Sequence, residues 1–181
     1  MTFSRILQNG GRIETADVVQ VKVNANNGIP NNPDLPALIY PQALGGELVS
    51  GDIIALYAVN HWDKAWVYGI FDFHHYHYAA HEVLAVIAGQ ATLQLGGQDG
   101  PCHEVREGDV VILPAGFGHR LVEATRGFTV VGAYPEGQED IGFARPGDGV
   151  RLSSREAARV PASDPIYGAD GPLGALWHSP R

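Results

Sequence analysis

From Val67 to Tyr134 the chain is a succession of short apolar runs punctuated by turns. "VYGIFDFHHYH", "EVLAVIAG", "QATLQLGG", "CHEVREG", "DVVILPAG", "HRLVEA" and "GFTVVGAY" follow one another. Gly, Pro and Asp stand between most of them. Brief β-branched or alternating runs with regular turn signals form antiparallel sandwiches or barrels. No longer helical pattern alternates with them, so a parallel α/β sheet is disfavoured. The expected fold class is all-β.

The flanks read differently. Residues 18–23, "VVQVKV", form a strand, and 24–36, "NANNGIPNNPDLP", a loop with turns. "ALIYPQAL" is a short extended piece interrupted at Pro41. Residues 50–62, "SGDIIALYAVNHW", predict a helix with Ser50 as cap and Asp52 in the first turn. In the tail, Ser153 and Glu156 stand at capping-box spacing and predict a turn or two of helix. The last segment, "VPASDPIYGADGPLGALW", reads as extended, with Ile166, Tyr167, Leu173, Leu176 and Trp177 docking it on the body. The organisation expected is one domain over 1–181: a barrel core at about 65–135, an elaboration over 1–64 and a docking tail over 136–181.

Composition narrows the partners. The formal net charge is −8, and Lys22 and Lys64 are the only lysines. No basic run could neutralise several phosphates, which argues against nucleic-acid binding. The single cysteine, Cys102, excludes an intrachain disulfide and fits a reducing compartment. The N-terminal "MTFSRILQNGGRIETAD" has no apolar core of a signal peptide, and no apolar stretch is long enough to span a bilayer. A soluble, cytoplasmic protein is expected.

The stretch "HHYHYAAHE" at 74–82 carries four of the eight histidines. On a strand, His75 and His77 project from one face. Two such imidazoles can share a metal ion at about 2.1 Å per bond. Further ligands must come from Glu82 or His81, and from His119, which follows the turn "PAGFG".

Here the sequence resembles the cupin superfamily. The first cupin motif is matched by Gly69, His75-Tyr76-His77, Glu82 and Gly89; the second by Gly108, Pro114-Ala115-Gly116 and His119. Glu123 stands where that second motif has an asparagine. "IPNNPDLPALIY", "HHYH" with "HEVL", and "VVGAYPEGQ" are further similar to a bacterial single-domain cupin group often called YjlB-like.

The resemblance implies a cupin double-stranded β-helix, or jelly roll, with one short N-terminal helix and the docking tail. It implies a divalent transition metal held by His75, His77, Glu82 and His119, and ligand type alone leaves Fe, Mn, Ni, Cu and Zn open. It further implies a cavity for a small-molecule substrate, and pairing into a homodimer for which strand 18–23 is a candidate.

Alternation lets only one of His81 and Glu82 face inward, and the six residues separating Glu82 from Gly89 favour Glu82. His74 then faces away from His75 and His77, as a hydrogen-bonded surface or interface histidine. Glu123, four residues after His119, is a candidate catalytic base or orienting group if the strand is regular, and a solvated side chain if it ends early. Phe71 and Phe73 would share the inward face, with Tyr76 and Tyr78 opposite. The function expected is a metal-dependent oxidoreductase of dioxygenase type. A metal-dependent isomerase or lyase, and a non-enzymatic small-molecule-binding protein, are the alternatives.

Overall fold

The computed structural model describes residues 3–8, 12–138, 140–150, 152 and 159–177. Its strands are β1 (Val19–Val21), β2 (Ala37–Tyr40), β3 (Trp62–Tyr68), β4 (Glu82–Ala88), β5 (Gln90–Leu95), β6 (Cys102–Arg106), β7 (Val110–Leu113), β8 (His119–Ala124) and β9 (Thr129–Pro135). Among the described residues two α-helices accompany them, α1 (Ser50–Val59) and α2 (Pro172–Trp177), with a 3-10 turn at Thr15–Asp17. The strands form two antiparallel sheets, ordered β1-β2-β7-β4-β9-β3 and β6-β5-β8. This is an all-β jelly roll.

The large sheet is covered on both faces, so its central strands read as continuous apolar runs rather than alternating ones. Ile39, Leu84, Val86, Val111 and Val130 pack toward Ala91, Leu93 and Leu95 of the small sheet. Leu38, Val83, Ala85, Ile112 and Val131 pack the opposite way, against Ile53, Leu56 and Tyr57 of α1 and Leu173 and Trp177 of α2. The small sheet has one wet face, and β5 accordingly alternates: Ala91, Leu93 and Leu95 are buried, Thr92 and Gln94 only partly. Gly89 alone joins β4 to β5. Its φ is +74°, and a Cβ there would lie 2.7 Å from Thr125 Oγ1, so both backbone and space call for glycine.

Several expectations need correction. Helix α1 ends at Val59, not 62, because Trp62 already pairs with Pro135 in β3. Ser50 is its first residue and not its cap; Val49 holds that position with no side-chain hydrogen bond. Burial of Ile53, Leu56 and Tyr57 sets the helix's place instead.

The last segment docks as expected but is not wholly extended. Pro172 opens α2, where its missing N–H costs nothing. Trp177 Nε1 donates to Pro36 O at 3.0 Å. Asp164 anchors the approach, accepting from Tyr40 Oη at 2.7 Å and from the amides of Ile166, Tyr167 and Leu173. The turn of helix expected at Ser153 and Glu156 lies outside the described residues.

Strand β3 stops at Tyr68, so the histidines do not ride on its continuation. The chain leaves the large sheet there and reaches the free edge of β8, where His75 forms a single bridge with His119. β1 lies at the opposite edge of the large sheet from β3. Among the described residues, no helix is long and apolar enough to cross a membrane.

Candidate metal centre

Both sheets contribute to one cavity. On β4, Val83 and Ala85 point to the helices, so Glu82 and Leu84 point between the sheets. From the other side, the His75–His119 bridge is closed by amide–carbonyl bonds of 3.2 and 3.0 Å. It sets the two imidazoles 4.1 Å apart, centroid to centroid. The amide of Gly116 donates to His77 O at 2.7 Å, so the turn before β8 also holds the second histidine. The rings of His75 and His77 are 5.9 Å apart and those of His77 and His119 are 6.3 Å apart. His75, His77, Glu82 and His119 thus line one cavity of about 260 Å³, together with Trp66, Tyr68, Ile70, Phe71, Leu84 and Tyr134.

The hydrogen bonds assign the tautomers. His75 Nδ1 faces Phe73 O at 3.1 Å, His77 Nδ1 faces Gly142 O at 2.8 Å, and His119 Nδ1 faces Phe117 O at 3.4 Å. A carbonyl only accepts, so each Nδ1 carries the proton and Nε2 is left to ligate. His77 Nε2 lies 3.3 Å from Glu82 Oε1, and His119 Nε2 lies 3.3 Å from Glu82 Oε2.

The protonation states sharpen the picture. Burial, then the neighbouring His75, lowers the His119 pKa to about 3, so this ring is neutral. Burial would raise Glu82, but the imidazoles of His77, His119 and His75 more than offset it and bring the carboxyl to about 2. Burial likewise lowers His75. His77 goes the other way: burial pulls it down, and Glu82 pulls it up further. His119 therefore turns a lone pair toward an anionic oxygen. That oxygen, Glu82 Oε2, is buried and has no hydrogen-bond donor among the described residues. An unsatisfied buried anion facing a lone pair is a costly arrangement that a cation between them relieves.

The spacing suits one. Two donors about 2.1 Å from a common ion, at octahedral or tetrahedral angles, stand about 3.0–3.4 Å apart. The Glu82 contacts to His77 and His119 fall in that range. Among the described residues no group of three His, Cys, Asp or Glu side chains is arranged to hold a metal ion as it stands. The fit therefore rests on donor chemistry, tautomers and pairwise spacing.

Residues 71–156 match the family model described as Cupin. A Bacillus subtilis (strain 168) protein described as "Uncharacterized protein YjlB" is 36% identical over 151 residues, 82% of this chain and 90% of its own. The chain belongs to the cupin family.

Solved structures similar to this cupin include the acireductone dioxygenase from Bacillus anthracis, described with a cadmium ion in its active centre (19% identity, TM-score 0.35, 50% of this chain and 60% of that one). Procruciferin, an 11S globulin from Brassica napus, is 19% identical with a TM-score of 0.36 over 66% of this chain and 29% of its own. The DMSP lyase from Ruegeria pomeroyi is 19% identical with a TM-score of 0.35 over 64% and 46%. The cupin spans less than two thirds of each of these solved chains.

Not every candidate reaches the cavity. His81 lies on the helix-facing side of β4, its ring 4.8 Å from that of Trp177, and its Nδ1 accepts the Ala115 amide at 3.0 Å. His74 faces away from the other imidazoles, as expected. It is half-buried beside Arg120, and the Gln94 side chain lies within hydrogen-bonding reach of its ring, as a hydrogen-bonded histidine requires.

Glu123 is also a correction. It is exposed, and its carboxylate accepts from Thr92 Oγ1 at 3.3 Å on the outer face of the small sheet. The cause is a bulge. Leu121 pairs with Leu93 and Glu123 with Thr92, so Val122 is the extra residue and the alternation flips after it. A general-base role in this cavity is thereby removed. Of the two phenylalanines, Phe71 lines the mouth and is 46% exposed rather than forming a floor. Tyr76 is buried against Ile29 and Ala144, as its opposite parity implies.

Two functional side chains are not in the motifs. Tyr134 Oη donates to Glu82 Oε1 at 3.1 Å and accepts from Trp66 Nε1 at 3.2 Å. Burial and the Glu82 charge raise the Tyr134 pKa, so the phenol keeps its proton. Alternation along β9 carried the signal: Val130, Gly132 and Tyr134 share the face that looks between the sheets. Trp66 is aimed there by a bulge at Lys64, whose φ is +51°. Phe143 is the third surprise, stacked on His75 with centroids 5.4 Å apart.

Proposed function

We propose that this cupin holds a divalent transition metal on His75, His77, Glu82 and His119 and uses it for small-molecule oxidoreductase chemistry of the dioxygenase type. The observation that carries the reading is the neutral His119 imidazole directed at a buried, donor-free carboxylate oxygen. A bound ion of this kind supplies a redox-active Lewis acid for substrate and dioxygen. The chain's own residues supply the rest. Backbone carbonyls lock the three imidazoles in the ligating tautomer. Tyr134 holds Glu82 through Oε1 and leaves Oε2 for the ion. Leu84, Ile70 and the aromatic wall keep bulk water away.

A second reading, a metal-dependent isomerase or lyase, uses the same four ligands with the ion as a Lewis acid on a substrate carbonyl.

Elemental analysis of protein purified without added metal is the first test, with stoichiometric iron expected. His77→Ala should lose that metal while the sheets stay folded; retained stoichiometric metal would mean the ligand set is wrong. Oxygen uptake by the Fe(II) form is then screened over thiols, phenolics and diketones. Absence of uptake with all of them rejects the dioxygenase reading in favour of the second.

A further inference from the structure

We infer that the cavity beside the candidate ligands takes a flat, largely aromatic molecule of one or two rings, with an oxygen donor at one end and no second charged group. Only the placement of the donor end rests on the metal reading above.

The wall dictates the class. Among the described residues, no lysine or arginine lines the cavity, and no serine, threonine, asparagine or glutamine does. Apart from the candidate ligands, the polar groups are the Tyr68 hydroxyl, the Trp66 N–H and the Tyr134 hydroxyl. Of these, Trp66 is committed to Tyr134 and Tyr134 to Glu82. The ammonium of an amino acid, a phosphate or a remote carboxylate would find no partner and be driven out by its desolvation cost. A polyol would leave most of its hydroxyls unbonded.

The shape is as selective as the polarity. Gly132 lets the Trp66 indole lie against β9, since a Cβ there would come within 2.2 Å of the ring. The indole thus presents a flat wall. At the mouth, Phe71 stacks on Phe73 with centroids 4.9 Å apart, and Phe143 stands edge-on to Phe71 at 6.0 Å. Phe71 and Phe143 are both nearly half exposed, an apolar collar around the opening. Phe73, Phe143 and Arg145, which lies over the Phe73 ring 3.8 Å from its centroid, stand outside the lining residues, so the collar is the outer rim and Phe71 alone of the three phenylalanines lines the cavity. The volume fits too. A cavity of about 150 Å³ holds benzene, so one of about 260 Å³ admits a substituted ring or two fused rings.

The test is calorimetric titration of zinc-loaded protein, which is redox-silent, in parallel with metal-free protein. With zinc, catechol should saturate, and 2,3-dihydroxynaphthalene should bind several-fold tighter because the second ring fills the apolar wall. 3,4-Dihydroxybenzoate should bind at least tenfold more weakly than catechol. L-Serine, D-ribose and glycerol 3-phosphate should not saturate at hundredfold higher concentrations. Phe71→Ala, at an exposed position, should weaken the naphthalene ligand about fivefold while leaving the zinc content unchanged.

The inference is overturned if the second ring abolishes binding, if the carboxylate is tolerated, or if any of the three polar compounds matches catechol. Metal-free protein separates the two readings. 2-Naphthol binding there, weakened by Phe71→Ala, in a protein that takes up no metal, would leave the substrate class standing and sink the metal reading. Stoichiometric zinc with no aromatic binding would do the reverse.

Discussion

Gly132→Ala is the change that most directly tests how the fold builds the cavity. The added Cβ would lie 2.2 Å from Trp66 Cζ2, 2.3 Å from Cε2 and 2.8 Å from Nε1. Ordinary contact begins at about 3.4 Å, so the indole must withdraw by roughly 1 Å. It cannot slide along the strand, because Trp66 and Gly132 are direct partners across β3 and β9. Overpacking of this kind costs about 1–3 kcal/mol. Loss of the 3.2 Å bond from Trp66 to Tyr134 adds about 0.5–1.5 kcal/mol. Gly132 is not among the positive-φ residues, so alanine suits the backbone and recovers about 0.4–1 kcal/mol through the unfolded chain. The net expectation is a loss of about 0.5–4 kcal/mol. For a chain of this size that is a fall in Tm of about 1–16 °C by thermal denaturation. The control is the same change in a Trp66→Ala background, where the clash is gone and the cost should vanish. A Gly132→Ala protein as stable as the parent, or an equal cost with and without the indole, would refute the packing argument.

Tyr134→Phe deletes the donor to Glu82 Oε1; a bond to a charged group is worth about 1.5–3 kcal/mol, and loosening the carboxylate should weaken metal binding about 10–100-fold in a competition titration with a chelator. The pH dependence of that binding has a defined sign. Glu82 outweighs burial and raises the His77 pKa above 6.5, so the proton competes with the ion at acid pH. Apparent affinity should be steady above the raised pKa and fall about tenfold per pH unit below it; a flat profile between pH 5 and 8 would exclude His77 as a ligand. Asp164→Ala strands the Tyr40 hydroxyl and three amides. At about 1–3 kcal/mol for each buried unsatisfied group, it should cost at least about 3 kcal/mol in denaturant unfolding.

How much of this was legible in the sequence depends on whether the signal was local. The strands β4 to β9 announce themselves because each alternates or runs apolar between turn residues. Gly69, His75, His77, Glu82, Gly89, Gly108, Pro114, Gly116 and His119 keep the spacing of two cupin motifs, so the four candidate ligands could be named before their geometry was known. Period-2 parity allowed only one of His81 and Glu82 to face inward, the six residues between Glu82 and Gly89 favoured Glu82, and the structure places Glu82 in the cavity and His81 behind it. Glu123 failed on the same rule. Parity holds only while a strand is regular, and the extra residue Val122 leaves no mark in a run that reads "HRLVEA". Tyr134 and Trp66 were missed as partners because their meeting requires two strands, a bulge at Lys64 and the bare Gly132 between them.

The division of the ligands between the sheets gives these facts a common cause. His75 and His119 belong to the edge of the small sheet, and Glu82 to the centre of the large one. Neither sheet alone can present a carboxylate to an imidazole, so the candidate centre exists only once the sandwich has closed. Closing it buries Glu82 in apolar surroundings, which opposes folding unless the imidazoles, Tyr134 or an ion compensate. Tyr134 satisfies Oε1, and among the described residues Oε2 faces the lone pair of His119 and has no donor. The unmet half of that carboxylate is therefore a strain that packing of the two sheets imposes on the metal-free chain. A ligand that binds only the closed sandwich is the kind that relieves it, and it stabilises the fold in proportion to its affinity.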